Sequence, residues 1–256
     1  MPRLLVILVV PLALLGGTSA QDKKKKDKAD PKILYPVPLM ARPGEKQTIA
    51  LYGKNLDTVK EVKVEGPDDV TVKVLGAKKV PVPGNHPTDR VGDSVVEIEL
   101  DLPKGVKPGE VKLTAVRDGT DSPAYTLPIR DGLPVVAEKE PNDGFDTAQP
   151  IPVPCAVEGT IKNERDPDVY KVEGKKGDKL RFEVQAARLG SPVDALISLY
   201  DARGRLLGQA DDTAGSPDPV LVATLPRDGA YFLSVIDAND LGGPNFGYRL
   251  VVKKEE

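Results

Sequence analysis

Residues 168–186 read DVYKVEGKKGDKLRFEVQA. Two runs of alternating character flank a Lys-Lys-Gly-Asp interruption. In the second run Leu180, Phe182, Val184 and Ala186 alternate with Arg181, Glu183 and Gln185. Successive side chains of a strand point to opposite faces, so this pattern describes a strand with one dry and one wet face. The same period recurs upstream in QTIALYG (47–53), KEVKVEG (60–66), DVTVKVLG (69–76), SVVEIELDL (94–102), GEVKLTAVRD (109–118) and AYTLPI (124–129). It recurs around and after the opening stretch in CAVEGTIK (155–162), DALISLYD (194–201), RLLGQAD (205–211), PVLVATL (219–225), GAYFLSVID (229–237) and YRLVVKK (248–254). DARG (201–204) and RDGA (227–230) carry tight-turn chemistry, with glycine supplying positive φ. With 24 Gly and 25 Pro among 256 residues, and no long helical period, the chain reads as all-β.

RDGLPVVAEKEP (130–141) is a natural joint between two such sets of strands. The spacing predicts two tandem β-sandwich domains: an immunoglobulin-like sandwich of seven strands over 32–130 and a jelly-roll-like sandwich over 131–256. Ahead of them lies MPRLLVILVVPLALLGGTSAQ. Arg3, the apolar run from Leu4 to Leu15 and the small-residue exit Thr18-Ser19-Ala20 have the layout of a secretory signal peptide over 1–20. That run is shorter than the roughly 20 residues a membrane span needs. Residues 21–31, QDKKKKDKADP, read as a lysine-rich solvated tether.

Composition removes several functions. The net charge is −3 and the signs are well mixed, without the basic stripe of a nucleic-acid binder. The single cysteine, Cys155, allows no internal disulfide and suits a small apolar core position. The single histidine, His86, sits in PGNHPTD, which reads as an exposed loop with no nucleophile beside it. No GxSxG or HExxH occurs. Aromatics are few, and Tyr52, Tyr125, Tyr170, Phe182, Tyr200, Phe232 and Tyr248 fall within strand patterns as expected core residues. No enzyme is expected.

The joint runs on into AEKEPNDGFDTAQP (137–150). In an extended segment Glu138, Glu140 and Asn142 point one way, and Asp143 follows at the bend. Asp166 and Asp168 stand two apart at the mouth of a strand. Calcium takes six to eight oxygen ligands from carboxylates, amides and carbonyls, so the two segments together suit a cation site. The same residues also suit plain turn chemistry, with Asp143 capping GFDTAQ and Asp166 opening a turn with Pro167. Spacing leaves both readings open.

EKEPNDGFDTAQPI, VEGTI, DPDVYKV, DALISLYDARGRLL, DGAYFLSVID and FGYRLVV follow one another in an order that resembles the bacterial pre-peptidase C-terminal domain, over about residues 133–254. That family is a β-sandwich appended to exported bacterial proteins, and the collagen-binding modules of clostridial collagenases are similar. The resemblance implies a Ca²⁺ site at Glu138, Glu140, Asn142, Asp143, Asp166 and Asp168. The first half is similar to the immunoglobulin-like IPT/TIG family at Pro43-Gly44 and QTIALYGKNL, with Gly53, Asn55 and Leu56. GAKKVPVPGNHPTDRVGD (76–93) departs from that pattern.

The reading that follows is an exported protein of the periplasm, cell surface or extracellular space. It would bind, adhere or act as a spacer without catalysis, its second sandwich stabilised by calcium. Its expected partner is an envelope protein or extracellular polymer. The alternatives are a carboxylate-pair hydrolase and a carbohydrate-binding accessory module.

Overall fold

A computed structural model describes residues 29–82, 86–130 and 132–255. The signal peptide read over 1–20 and most of the tether over 21–31 lie outside the described residues. Within them no helix is long and apolar enough to cross a membrane.

The first half holds β1 (Lys32–Val37), β2 (Lys46–Lys54), β3 (Glu61–Glu65), β4 (Thr71–Lys79), β5 (Ser94–Asp101), β6 (Gly109–Arg117), β7 (Thr120–Asp121) and β8 (Tyr125–Ile129). They form one sheet in the order β1-β2-β5-β4 and a second of β3-β6-β7, with β8 also on β6. The inward positions read from the alternation close the core: Ile49, Leu51, Ile98 and Leu100 face Val111, Leu113 and Leu127. Burying an aliphatic side chain of this size contributes about 1.5–3 kcal/mol. In the atypical run 76–93, β4 continues past a bulge between Val74 and Gly76 to Lys79. A short helix, α1 (Thr88–Val91), then leads into β5.

The second half holds β9 (Val135–Ala137), β10 (Gln149–Pro150), β11 (Cys155–Thr160), β12 (Asp168–Gly174), β13 (Lys179–Gln185), β14 (Ala195–Asp201), β15 (Leu206–Ala210), β16 (Val220–Thr224), β17 (Gly229–Asp237) and β18 (Gly247–Lys254). One sheet runs β10-β12-β17-β14-β15 and the other β16-β13-β18-β11-β9. Only four residues separate β12 from β13, yet they lie in opposite sheets. Tyr170, Val172, Leu199 and Leu233 meet Phe182, Val184, Leu250 and Val252 across the core. Cys155 is fully buried there, and burial pushes its thiol up to about 11. The chain is thus all-β, built as two β-sandwiches.

Two expectations change, and two strands are new. β9 and β10 are too short to show a period; each joins its sheet in parallel, on β11 and β12 respectively. Tyr200 and Phe232 are not core. They lie on the outer face of their sheet, where Phe145 covers them with ring centroids 5.4 and 4.6 Å away. His86 is not an exposed loop residue. It is half-buried, its ring 5.5 Å from that of Phe246 in the second sandwich.

The two sandwiches meet along a polar seam. Arg130 Nε donates to Glu158 Oε1 at 2.8 Å, and the Arg42 guanidinium lies 3.7 Å from the same carboxylate. Tyr125 Oη donates to the Leu189 carbonyl at 2.9 Å, and Asn245 Nδ2 donates to Tyr35 Oη at 2.8 Å.

Candidate functional site

The joint leaves β9 and crosses the end of the second sandwich. Glu138 N–H still bonds the Glu158 carbonyl at 3.2 Å, so the segment begins as an extension of the β9–β11 pair. Gln149 then brackets it from both sides. Its Oε1 accepts from Lys139 N at 2.8 Å, and its Nε2 donates to the Ala137 carbonyl at 2.9 Å. Farther on, the Asn142 carbonyl accepts from Val169 N at 2.8 Å, which seats the connector against the start of β12.

Asp168 opens β12 on the same face as Tyr170 and Val172, so period-two geometry turns its carboxylate toward the core. It is fully buried. Glu138, Glu140 and Asp168 each present an oxygen within 4.8 Å of the others. Glu138 Oε2 accepts from Thr160 N at 3.0 Å. Asp168 Oδ2 accepts from Tyr248 Oη at 2.6 Å, and that hydroxyl is bonded to Tyr170 Oη. Tyr170 Oη in turn reaches Glu138 Oε1 at 3.3 Å. Gly159 makes room for this arrangement: a Cβ there would fall 2.4 Å from Tyr248 Cζ.

Burial, and then the neighbouring Glu138 charge, push the Asp168 carboxyl well above the usual carboxylate range; the Tyr248 hydroxyl pulls back less. Burial and the same two carboxylates also raise both tyrosines. The one ammonium in the group is Lys162, whose Nζ lies 3.0 Å from Glu140 Oε1 and 4.0 Å from Glu138 Oε2.

Asn142 is fully buried with its amide against Glu140 and Asp168. With its nitrogen toward them it donates at 2.7 and 3.3 Å. With its oxygen toward them, three acceptors face one another, an arrangement that calls for a cation between them. This donor set, all oxygen and rich in carboxylate, fits a hard divalent ion.

The remaining sequence candidates are placed differently. Asp166 is half-buried beside the group, but its Oδ2 accepts from Lys162 N at 2.8 Å and Asn163 N at 3.2 Å, closing the loop between β11 and β12. Its charge still acts on Asp168. Asp143 is exposed on the connector and outside the three-carboxylate group. Sequence reasoning missed Lys162, Tyr170 and Tyr248 as members. The period of DVYKV and FGYRLVV sets Tyr170 and Tyr248 within strands, but does not show that their hydroxyls meet each other near Lys162. It also missed a second acidic group of Asp194, Asp211 and Asp212, of which Asp211 and Asp212 are exposed.

No protein-family model matches the chain. Over 105 residues it is 37% identical to a probable subtilase-type serine protease of Deinococcus radiodurans, a match covering 40% of this chain and 14% of that protein's length. Among solved structures, 45% of this chain matches the whole pre-peptidase C-terminal domain of a Bacillus anthracis collagenase, at 17% identity and a TM-score of 0.35. A periplasmic inhibitor of g-type lysozyme from Aeromonas hydrophila is matched over 97% of its length by 42% of this chain, at 16% identity and a TM-score of 0.34.

Proposed function

We propose that the chain is an exported, non-catalytic binding or spacer protein whose second sandwich is stabilised by Ca²⁺. The carrying observation is the convergence of Glu138, Glu140 and Asp168 within 4.8 Å around the buried amide of Asn142. Glu138, Glu140, Asp168 and the Asn142 amide oxygen would hold the ion, with Asp166 adding charge from the side and Asp143 at the rim. The ion supplies positive charge where the fold has collected negative charge. It would tie the connector to the start of β12. A segment similar to this chain inside a far longer protease supports an accessory role. The signal-like start of the sequence supports export. The partner in this reading is an envelope protein or an extracellular polymer. Burial of Asp168 beneath Tyr170 and Tyr248 leaves that carboxylate no open cleft in which to act on a substrate, which favours binding over a carboxylate-pair hydrolase.

Thermal melting of the full chain in chelator, in Ca²⁺ and in Mg²⁺ tests the calcium reading. A ligand that binds only the folded state adds RT ln(1 + [L]/Kd), about 2.7 kcal/mol at a hundred times Kd. Ca²⁺ should raise the melting temperature by that amount of stability. Mg²⁺ should do less, because it needs a smaller, near-octahedral shell and keeps its waters. Identical curves in chelator and millimolar Ca²⁺ would reduce the connector to a linker and a cap.

A further inference from the structure

We propose that Lys162 is a tethered cation: it holds the ion's place while no divalent ion is bound, and has to leave for one to enter. This rests on the calcium reading above and adds a residue that the ligand pattern does not contain.

Lys162 follows β11 by two residues, at the root of the loop that closes on Asp166. Its backbone is fixed, since its N–H donates to Asp166 Oδ2 at 2.8 Å. Its side chain is not fixed in the same way. The stem is 48% exposed, while Glu138, which it approaches, is only 6% exposed and Glu140 26%. The ammonium therefore reaches in from water toward carboxylates that the fold cannot withdraw. Its Nζ stands 3.0 Å from Glu140 and 4.0 Å from Glu138. A calcium ion bound by both carboxylates at about 2.3–2.6 Å would stand within a few ångströms of that ammonium. Two positive charges that close repel strongly, and the repulsion rises where water is partly excluded. The four-carbon stem offers the relief: a rotamer change carries the ammonium into solvent without disturbing the backbone.

The Asn142 amide completes the exchange. With the lysine in place its nitrogen can donate to Glu140 and Asp168. With an ion in place its oxygen can turn inward, since an amide rotates between the two roles. The site thus has a self-contained form, neutralised by ammonium and amide, and a metal form in which both step aside. Competition by a tethered charge weakens the site, so the ion would be taken up only where calcium is abundant, as it is outside cells.

The experiment uses the full chain as wild type, Lys162→Met and Lys162→Arg, with calcium uptake followed by titration calorimetry and stability by melting in chelator and in saturating Ca²⁺. Methionine keeps the stem and removes the charge. Lys162→Met should bind Ca²⁺ about tenfold more tightly, the order expected for removing one nearby like charge in a partly solvated site. The same variant should melt lower than wild type in chelator and level with it in saturating calcium, which also shows that it folds. Lys162→Arg should stay close to wild type in both. Calcium affinity in Lys162→Met equal to or weaker than that of wild type would overturn the tethered cation while leaving the calcium site standing. If neither wild type nor Lys162→Met takes up Ca²⁺, the calcium reading falls and the competitor falls with it.

Discussion

Asp168 and Asp201 belong to the same sheet, one opening β12 and the other closing β14, and both are buried. Their surroundings are opposite. Burial alone would push the Asp201 carboxyl up, but hydrogen bonds from Arg205 and the backbone outweigh it and bring it down to about 2. Arg203 N and Arg205 N reach Oδ1 at 2.8 and 3.1 Å, and Arg205 Nε reaches Oδ2 at 2.9 Å. The turn that supplies these donors is Asp201-Ala202-Arg203-Gly204, where Gly204 takes a φ of 74°. Asp168 meets a tyrosine hydroxyl and two more glutamates. One buried aspartate is fully paid by its own hairpin; the other is left with a deficit that a cation would fill. A buried carboxylate therefore says nothing about a metal until its partners are counted.

The largest expected effect separates the two directly. The calcium increment of about 2.7 kcal/mol at a hundred times Kd should vanish in Asp168→Asn and persist in Asp201→Asn. In chelator the order should reverse, with Asp201→Asn clearly less stable than wild type and Asp168→Asn at least as stable as wild type at neutral pH. Melting of both variants in both buffers gives the four values. A calcium increment that survives Asp168→Asn would break the contrast.

Acidity should sharpen it. The Asp201 carboxyl is lower folded than unfolded, where carboxylates titrate near 3.9, so its contribution is present above about pH 4 and lost as the pH falls toward 2. The Asp168 carboxyl is raised to about 9 without metal. Its contribution is then fully present below about pH 4 and lost as the pH rises through the raised value. Urea unfolding in chelator from pH 5 to 9 should show a fall in stability with rising pH that Asp168→Asn flattens and Asp201→Asn does not. An unchanged slope in Asp168→Asn would place the titration elsewhere.

The smallest effect concerns how the connector is held. Phe145, three residues past Asn142, stacks on Phe232 with ring centroids 4.6 Å apart. Aromatic pairs of this kind are worth about 0.5–1.5 kcal/mol. Phe145→Ala should loosen the connector and weaken calcium binding by a few-fold, up to about tenfold, with a matching rise in proteolytic nicking over residues 142–147. Unaltered affinity with unaltered nicking would make Phe145 a surface residue only.

Much of this was legible in the residues. The alternation in DKLRFEVQA names the buried set Leu180, Phe182 and Val184, and the structure buries all three. The oxygen-rich run of Glu138, Glu140 and Asn142 was visible as a candidate, because extended backbone puts every second side chain on one side. The error over Tyr200 and Phe232 has a clear cause. They alternate with buried Leu199 and Leu233, so the period sets them on the other face, but an aromatic in a strand reads as core until the outer face is known to be covered. Phe145, eighty-odd residues upstream of one of them, is what covers it.

The sequence by itself determined which side chains of each strand face inward and that the joint carries acid. It did so because both depend on local backbone geometry, the two-residue repeat of a strand and the turn chemistry of Pro, Asn and Gly. Only the tertiary structure decided that β12 and β13 part into opposite sheets across a four-residue turn. It alone decided, too, that Asp168 lies under Tyr248 and that Lys162 reaches the carboxylates. Strand pairing is made by backbone N–H and C=O groups that every residue shares, so the sequence carries little record of which strand lies beside which. Contacts between residues 138, 162, 168 and 248 exist only once that pairing has been chosen.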